Sequence, residues 1–420
     1  MKKLILNADL LTFTGPDEPR RGAQMRSVGL VRGGAVLFED GKILAAGLRD
    51  VVQRHPDACK ARIHDAGGRI LMPGFIDCHT HPVFAESRLR DYELRSQGKG
   101  YQEIAAAGGG ILSSVRGVRG ADVETLAKGL FAKTQRFLEC GTTTIEAKSG
   151  YGLDGDSELK MLRAMQAVAA GSPLEIHPTF LGAHAVPPEY AGKAEAYVDY
   201  LCREVLPKVA QEKLAEFADA FCEDGYFSAA LCEKFLSACK AAGLKPRVHA
   251  EQFKRCGGAR LAAKLGALSA DHLDRVEAED LAAMKEAGVI ACLVPGSNHF
   301  LGMNEFPPAR KIIDADLAVA LATDFNPGTC PCWNMQEILS ISVSRMKMTP
   351  EEVLVASTVN AAHALGLGKT HGSLEQGKQA DFILLDCKDY REIPYWFGAN
   401  IVTTVFKRGV IVHGDRDFHI

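Results

Sequence analysis

Two textures of hydrophobic and polar positions divide the chain. Near the N-terminus apolar residues come in short β-type runs, Leu4 to Phe13 and then GAVLFEDGKILAAG, where Asp40-Gly41 suits a two-residue hairpin turn. Near the C-terminus ADFILLD and NIVTTVFKRGVIVHG repeat the pattern, with a turn at Arg408-Gly409. The stretches 1–69 and 373–420 are therefore expected to pair into one small β-sandwich built from both termini. Between them, over 70–372, eight short apolar runs alternate with helical segments: RILMPGFIDCH, TTTIEAK, PLEIHPTFLGA, DAFCEDG, KPRVHAE, ALSADHL, VIACLVP and LAVALATDF. Helical periodicity marks ADVETLAKGLFAKTQRFLECG, SELKMLRAMQAVAA, SAALCEKFLSACKAAG and GARLAAKLG between them. Eight such units predict an α/β fold, a (β/α)8 TIM barrel. The one long connection, 82–140, carries three glycines at 108–110, which suit a loop over a site.

Composition narrows the function. The chain has 420 residues with 49 Lys and Arg against 52 Asp and Glu, a net charge of −3. No basic excess is present to neutralise phosphates, so no nucleic-acid partner is expected. No apolar run approaches the length of a membrane span. MKKLILNADLLTF is broken by Asn7 and Asp9, lacks a following cleavage site, and reads as a strand. Twelve cysteines, scattered singly, argue for free thiols in a reducing cytoplasm.

In a barrel of this kind the chemistry sits at the C-terminal ends of strands. The first run ends Asp77-Cys78-His79-Thr80-His81. Residues two apart in a strand point the same way, so His79 and His81 project together, as two imidazole ligands require. The fifth run ends in His249-Ala250-Glu251 and the eighth in Thr323-Asp324-Phe325-Asn326. His79, His81, His249 and Asp324 make a set for one divalent ion, Zn2+ or Fe2+, with an open position for water. His272, at the end of the sixth run, reads as a proton carrier beside that water. Cys330-Pro331-Cys332 has no second pair and reads as ordinary thiols.

PGFIDCHTH, VHAE, SADH and ATDFNPG at these positions resemble the amidohydrolase superfamily, flanking β-sandwich included. VFAESR (83–88), GGGILSSVR (108–116), TTTIEAKSGYGLD (142–154), TFLGAHAVPPE (179–189), LSADHL (268–273) and TDFNPGT (323–329) resemble more narrowly the imidazolonepropionase family. The resemblance runs over essentially the whole chain. It implies hydrolytic opening of 4-imidazolone-5-propanoate to N-formimidoyl-L-glutamate, a step of histidine degradation, with one divalent metal ion per subunit and, as is usual among relatives, a homodimer.

The substrate of that family carries a propanoate tail. Arg88, in the first loop, can grip a carboxylate in bidentate fashion. Tyr151 and His184 match family substrate contacts. Asn326, Gly328 and Thr329 follow Asp324; Asn326 can pair with ring groups, and glycine admits a close approach. A bound metal lowers the pKa of water from about 15.7 to about 7. Asp324 and His272 are placed to take the water proton, and the returning proton goes to the leaving ring nitrogen. Dinuclear relatives often place a carboxylated lysine at the end of the fourth strand; Glu223 and Asp224 stand there instead, which favours one metal. Lys148 keeps a substrate or structural part. Some family members carry glutamate three residues after the fifth-strand histidine, where this chain has Gln252. Gln252 is then a substrate-orienting amide, and the first general base is left open among Glu251, His272 and Asp324. The rival reading is another cyclic amide or amidine hydrolase of the superfamily, such as an aromatic deaminase, which would not need a carboxylate clamp. A non-catalytic scaffold or a phosphate-binding barrel fits less well, since all four ligands are present and no phosphate loop is.

Overall fold

In the computed structural model, which describes residues 1–100, 103–104 and 107–414, both ends of the chain feed one mixed sheet. Its strands are β1 (Lys3–Leu11), β2 (Leu30–Glu39), β3 (Lys42–Gly47), β4 (Arg62–Asp65) and β5 (Ile70–Pro73) from the N-terminal side. After the barrel strands β6 to β14, β15 (Phe382–Leu385), β16 (Val402–Lys407) and β17 (Val410–Gly414) join from the other side, in the order β17-β16-β15-β5-β1-β2-β3, with β4 on β1. Residues 415–420 of the C-terminal stretch lie outside the described residues. Both hairpin turns form where expected: Asp40-Gly41 and Arg408-Gly409 have φ of 48° and 77°, and 48° and 71°, the left-handed pair a tight hairpin turn requires.

Phe38 on β2 lies 6.0 Å from Phe406 on β16, although four strand spacings separate them along the sheet. A flat sheet would hold them about 19 Å apart. The sheet therefore folds over itself, and Phe38, Phe382 and Phe406 fill the inside of the expected sandwich.

The barrel strands are β6 (Phe75–Asp77), β7 (Thr142–Lys148), β8 (Glu175–Ala183), β9 (Phe217–Cys222), the short β10 (Lys245–Pro246) beside it, β11 (Val248–Ala250), β12 (Ser269–His272), β13 (Ile290–Leu293) and β14 (Val319–Leu321). They run parallel in sequence order from β6 to β14 and are almost wholly buried, which is why each reads as a continuous apolar run. The ring closes just beyond the strands: Thr80 pairs with Phe325, Asp324 N donates to His79 O (3.0 Å), and His81 N donates to Phe325 O (2.8 Å).

RILMPGFIDCH is not one barrel strand. It divides at Gly74, so that Ile70–Pro73 pairs with β1 and β15 in the sandwich and only Phe75–Asp77 enters the barrel. Pro73 has no N–H to continue a ladder, and a Cβ at 74 would overlap Thr143 on β7.

A buried charge cluster joins the two parts. Lys407 Nζ lies 2.6 Å from Asp381 and 2.9 Å from Glu175 at the start of β8. His177 on β8 bonds Glu175 through Nε2 (3.3 Å) and Glu216 through Nδ1 (3.0 Å), so both ring nitrogens donate. Burial opposes charge on this imidazole, but the two carboxylates outweigh it and lift its pKa to about 9. A raised histidine stabilises the fold fully below its unfolded pKa of about 6.5, and the contribution fades as pH rises through about 9. His177→Gln should therefore cost roughly 1–3 kcal/mol at pH 6, with a clear fall in thermal midpoint that shrinks by pH 10. An equal deficit at both pH values would mean that His177 acts by packing alone.

Candidate metal centre and substrate pocket

Closure of the barrel brings side chains from its first, fifth and last strands to one point. His81 Nε2 lies 3.3 Å from His79 Nε2 and 3.4 Å from His249 Nε2. Asp324 Oδ1 lies 3.6 Å from His79 Nε2 and 3.5 Å from His81 Nε2. A tetrahedral ion with bonds of about 2.1 Å sets its donors roughly 3.4 Å apart, and these four separations are of that size. Burial, reinforced by the Lys148 charge and the neighbouring imidazoles, holds His79 well below the usual histidine range; burial likewise depresses His81 and His272. Neutral imidazoles are the form a cation binds. Burial pushes Asp324 well above the usual carboxylate range, as expected of an acid that a cation at this point would relieve.

Carboxylates stand behind two of the histidines. His79 Nδ1 donates to Asp271 Oδ2 (2.7 Å), which leaves its Nε2 lone pair toward the centre. His249 Nδ1 lies 2.9 Å from Asp219 Oδ2. His272 packs beside both, its ring 5.1 Å from that of His249 and 5.4 Å from that of His79. Glu251, His272 and Asp324 have φ of 55°, 76° and 53°. The left-handed turn at each strand end aims the side chain at a cost of about 1–3 kcal/mol per residue.

One wall of the cavity carries a buried arginine. Arg88 is buried, donates from Nε to Ser114 Oγ (2.8 Å), and lies 5.4 Å over the Tyr151 ring. Its Nη2 has no hydrogen-bond partner among the described residues. A Cβ at Gly328 would overlap this guanidinium, so the glycine makes room for Arg88. His184 donates from Nδ1 to Gly150 O (2.9 Å), stacks on His81 at 5.3 Å, and is lowered by burial to a pKa of about 3. Its Nε2 is thus an acceptor. Gln252, Phe253, Phe221 and Ile111 complete the lining.

Three expectations change. Asn326 lines the cavity, but its amide is engaged in its own turn: Nδ2 donates to Asp324 O and Thr329 Oγ1 (both 2.7 Å), and Oδ1 accepts from Gly328 N and Thr329 N. The Thr329 hydroxyl is left to donate into the cavity. Glu251 leaves the set of candidate bases, because its carboxylate accepts from Cys256 N (2.6 Å) and Ala259 N (3.1 Å) at the start of the helix Gly258–Leu265. Lys148 is fully buried and is absent from the cavity lining, which favours the structural part. Burial pushes Cys332 up to about 11 and Cys330 well above the usual thiol range, so both are thiols.

Residues that strand-end reading passed over are Asp219, Asp271, Glu146 and Arg247, all wholly buried in the barrel. Their signal was present: each breaks an apolar run with a charge. Spacing alone does not say what they face across the barrel.

The profile of the amidohydrolase family matches residues 70–412. The chain is 48% identical over 404 residues to the imidazolonepropionase of Solibacter usitatus, covering 96% of each. It is 46% identical over 399 residues to that of Shouchella clausii, covering 94% of this chain and 89% of the relative. Among solved structures it resembles E. coli guanine deaminase with a TM-score of 0.68 over 99% of this chain and 100% of the other; at 15% identity this speaks for the fold alone.

Glu251→Gln should take up metal as the parent does but melt earlier, since a charged acceptor at a helix start is weakened by about 1–2 kcal/mol. Loss of metal uptake with an unchanged melting temperature would return Glu251 to the site.

Proposed function

This chain belongs to the imidazolonepropionase family of amidohydrolases, and from that premise we propose how it hydrolyses 4-imidazolone-5-propanoate to N-formimidoyl-L-glutamate. The observation that carries the proposal is the close approach of four donor atoms beside a buried arginine with an unmet N–H. His79, His81, His249 and Asp324 are assigned to one divalent ion, Zn2+ or Fe2+. Such an ion, when bound, makes water acidic enough to attack at neutral pH and polarises a carbonyl.

Arg88 grips the propanoate, with Tyr151 beneath its guanidinium and the His184 Nε2 lone pair facing a ring N–H. Gln252 and Thr329 orient the ring, and Asn326 and Gly328 shape the wall that holds Thr329 and Arg88. Asp324 and His272 take the proton from the water oxygen as it bonds to the ring carbonyl carbon. The carbon–nitrogen bond then breaks, and the same proton passes to the departing ring nitrogen, so the ring opens without net acid or base consumption. Gln252 cannot accept a proton, which leaves this transfer to Asp324 and His272.

The proposal includes an organisation: 1–69 and 373–420 as a composite sandwich domain, joined in its sheet by Ile70–Pro73, and the rest of 70–372 as the catalytic barrel. It also includes a homodimer, supported by the exposed aromatic strip Tyr395, Trp396 and Phe397, and a cytoplasmic location, supported by free cysteines throughout the described chain. No helix among the described residues is long and apolar enough to cross a membrane.

Metal-loaded protein should consume imidazolonepropanoate, seen as loss of its ultraviolet absorbance. No turnover there, with turnover of an aminated base instead, would move the assignment to a deaminase. Arg88→Met should raise KM roughly 10–100-fold with metal content unchanged; metal lost along with activity would contradict the anion-binding role. His272→Ala should keep the metal and lower kcat by about 10²–10⁴-fold, and a near-normal rate would remove His272 from the mechanism.

A further inference from the structure

We propose that Lys148 is a positioning residue for the metal centre: its buried ammonium braces the aspartates behind His249 and His79, and thereby sets how tightly the donor set holds a divalent cation. The inference rests on the reading of those donors as a metal site.

Lys148 ends β7 and is wholly buried. Its Nζ donates to Glu146 Oε1 (2.8 Å), and lies 2.8 Å from Asp219 Oδ2 and 3.9 Å from Asp271 Oδ2. Those are the same two oxygens that stand 2.9 Å from His249 Nδ1 and accept from His79 Nδ1. Lys148 is therefore one carboxylate removed from two of the three ligating imidazoles while touching neither the cavity nor a donor atom. A carboxylated lysine does not fit here, since it would add negative charge among three carboxylates.

An imidazole binds an ion through Nε2 when an acceptor fixes the proton on Nδ1, and that acceptor must itself be held. Asp271 is held twice, by Lys148 and by Arg247, whose Nη2 lies 3.1 Å from Oδ2. Asp219 has Lys148 as its only Lys or Arg partner among the described residues. Removing one member of a buried pair leaves the other uncompensated. The consequence is directional: loss of Lys148 acts on the centre through Asp219 and His249 more than through Asp271 and His79.

The experiment measures Zn2+ affinity of metal-free protein by chelator competition and records the visible spectrum of Co2+-loaded protein. The parent, Lys148→Met, Asp219→Asn and the double variant are compared, with circular dichroism as the check on folding. Lys148→Met should bind Zn2+ roughly 10–100-fold more weakly and show an altered Co2+ spectrum. The double variant should bind no more weakly than the worse single variant, because both changes cut the same link. An affinity within threefold of the parent, an unchanged spectrum, or losses that multiply in the double variant would each overturn the proposal. Should Lys148→Met fail to fold, the double variant, which leaves no unpaired charge at 219, decides: affinity equal to that of Asp219→Asn supports the link, and a further tenfold loss refutes it. A parent that takes up no stoichiometric Zn2+ would sink the metal reading itself, a result distinct from a metal-binding parent with an unaffected Lys148 variant.

Discussion

Charge sealed inside a barrel has to be matched within a few ångströms, because an unpaired ion there costs several kcal/mol. In this chain Glu146, Asp219 and Asp271 face Lys148 in the barrel interior, and Asp271 also faces Arg247. Asp77, the remaining buried acid of the group, accepts from Thr323 N (3.0 Å) and Thr323 Oγ1 (2.6 Å), yet burial still lifts it to about 7. The interior thus links Lys148 through Asp219 and Asp271 to the imidazoles of His249 and His79.

The same constraint explains why the site cannot form before the fold does. His79 and His81 leave the first strand and Asp324 the last, and these meet only through the seam in which Asp324 N and His81 N bond across to His79 O and Phe325 O. The sandwich contributes to the seam. Ile70–Pro73 is pinned between β1 and β15, and Gly74 N donates to Asp381 O (3.1 Å), so the position at which β6 enters the barrel is set from outside it. A sheet built from both termini then has a mechanical meaning: it clamps the strand that leads directly into His79 and His81.

Much of this was legible in the residues. Buried parallel strands read as apolar runs, Asp40-Gly41 and Arg408-Gly409 announced their turns, and period-two spacing placed His79 and His81 on one face. What was not legible depends on directions and distances that spacing does not contain. Glu251 follows His249 by two residues and by alternation alone should share its face, but a φ of 55° turns it toward a helix start. Asn326 is a good partner for a ring amide in isolation, and only the geometry of its turn shows that both ends of its amide are already engaged. For Lys148 a substrate and a structural part stayed equally open, because its partners, Glu146 aside, lie on strands far away in sequence.

The two ends of the cavity make complementary demands on a ligand. At one end neutral imidazoles and a buried acid suit a hydrolysable carbonyl beside a cation; at the other Arg88, packed against Gly328 and held by Ser114, keeps one N–H unmet. A buried guanidinium with an unmet donor is unfavourable when the pocket holds nothing that accepts. A ligand with a carboxylate at the right reach removes that cost, whereas a bare heterocycle does not. Discrimination of this kind is steep, because a site that buries polar groups penalises every ligand that leaves them unpaired. The arginine wall therefore suits a ring with an acidic tail better than a bare ring.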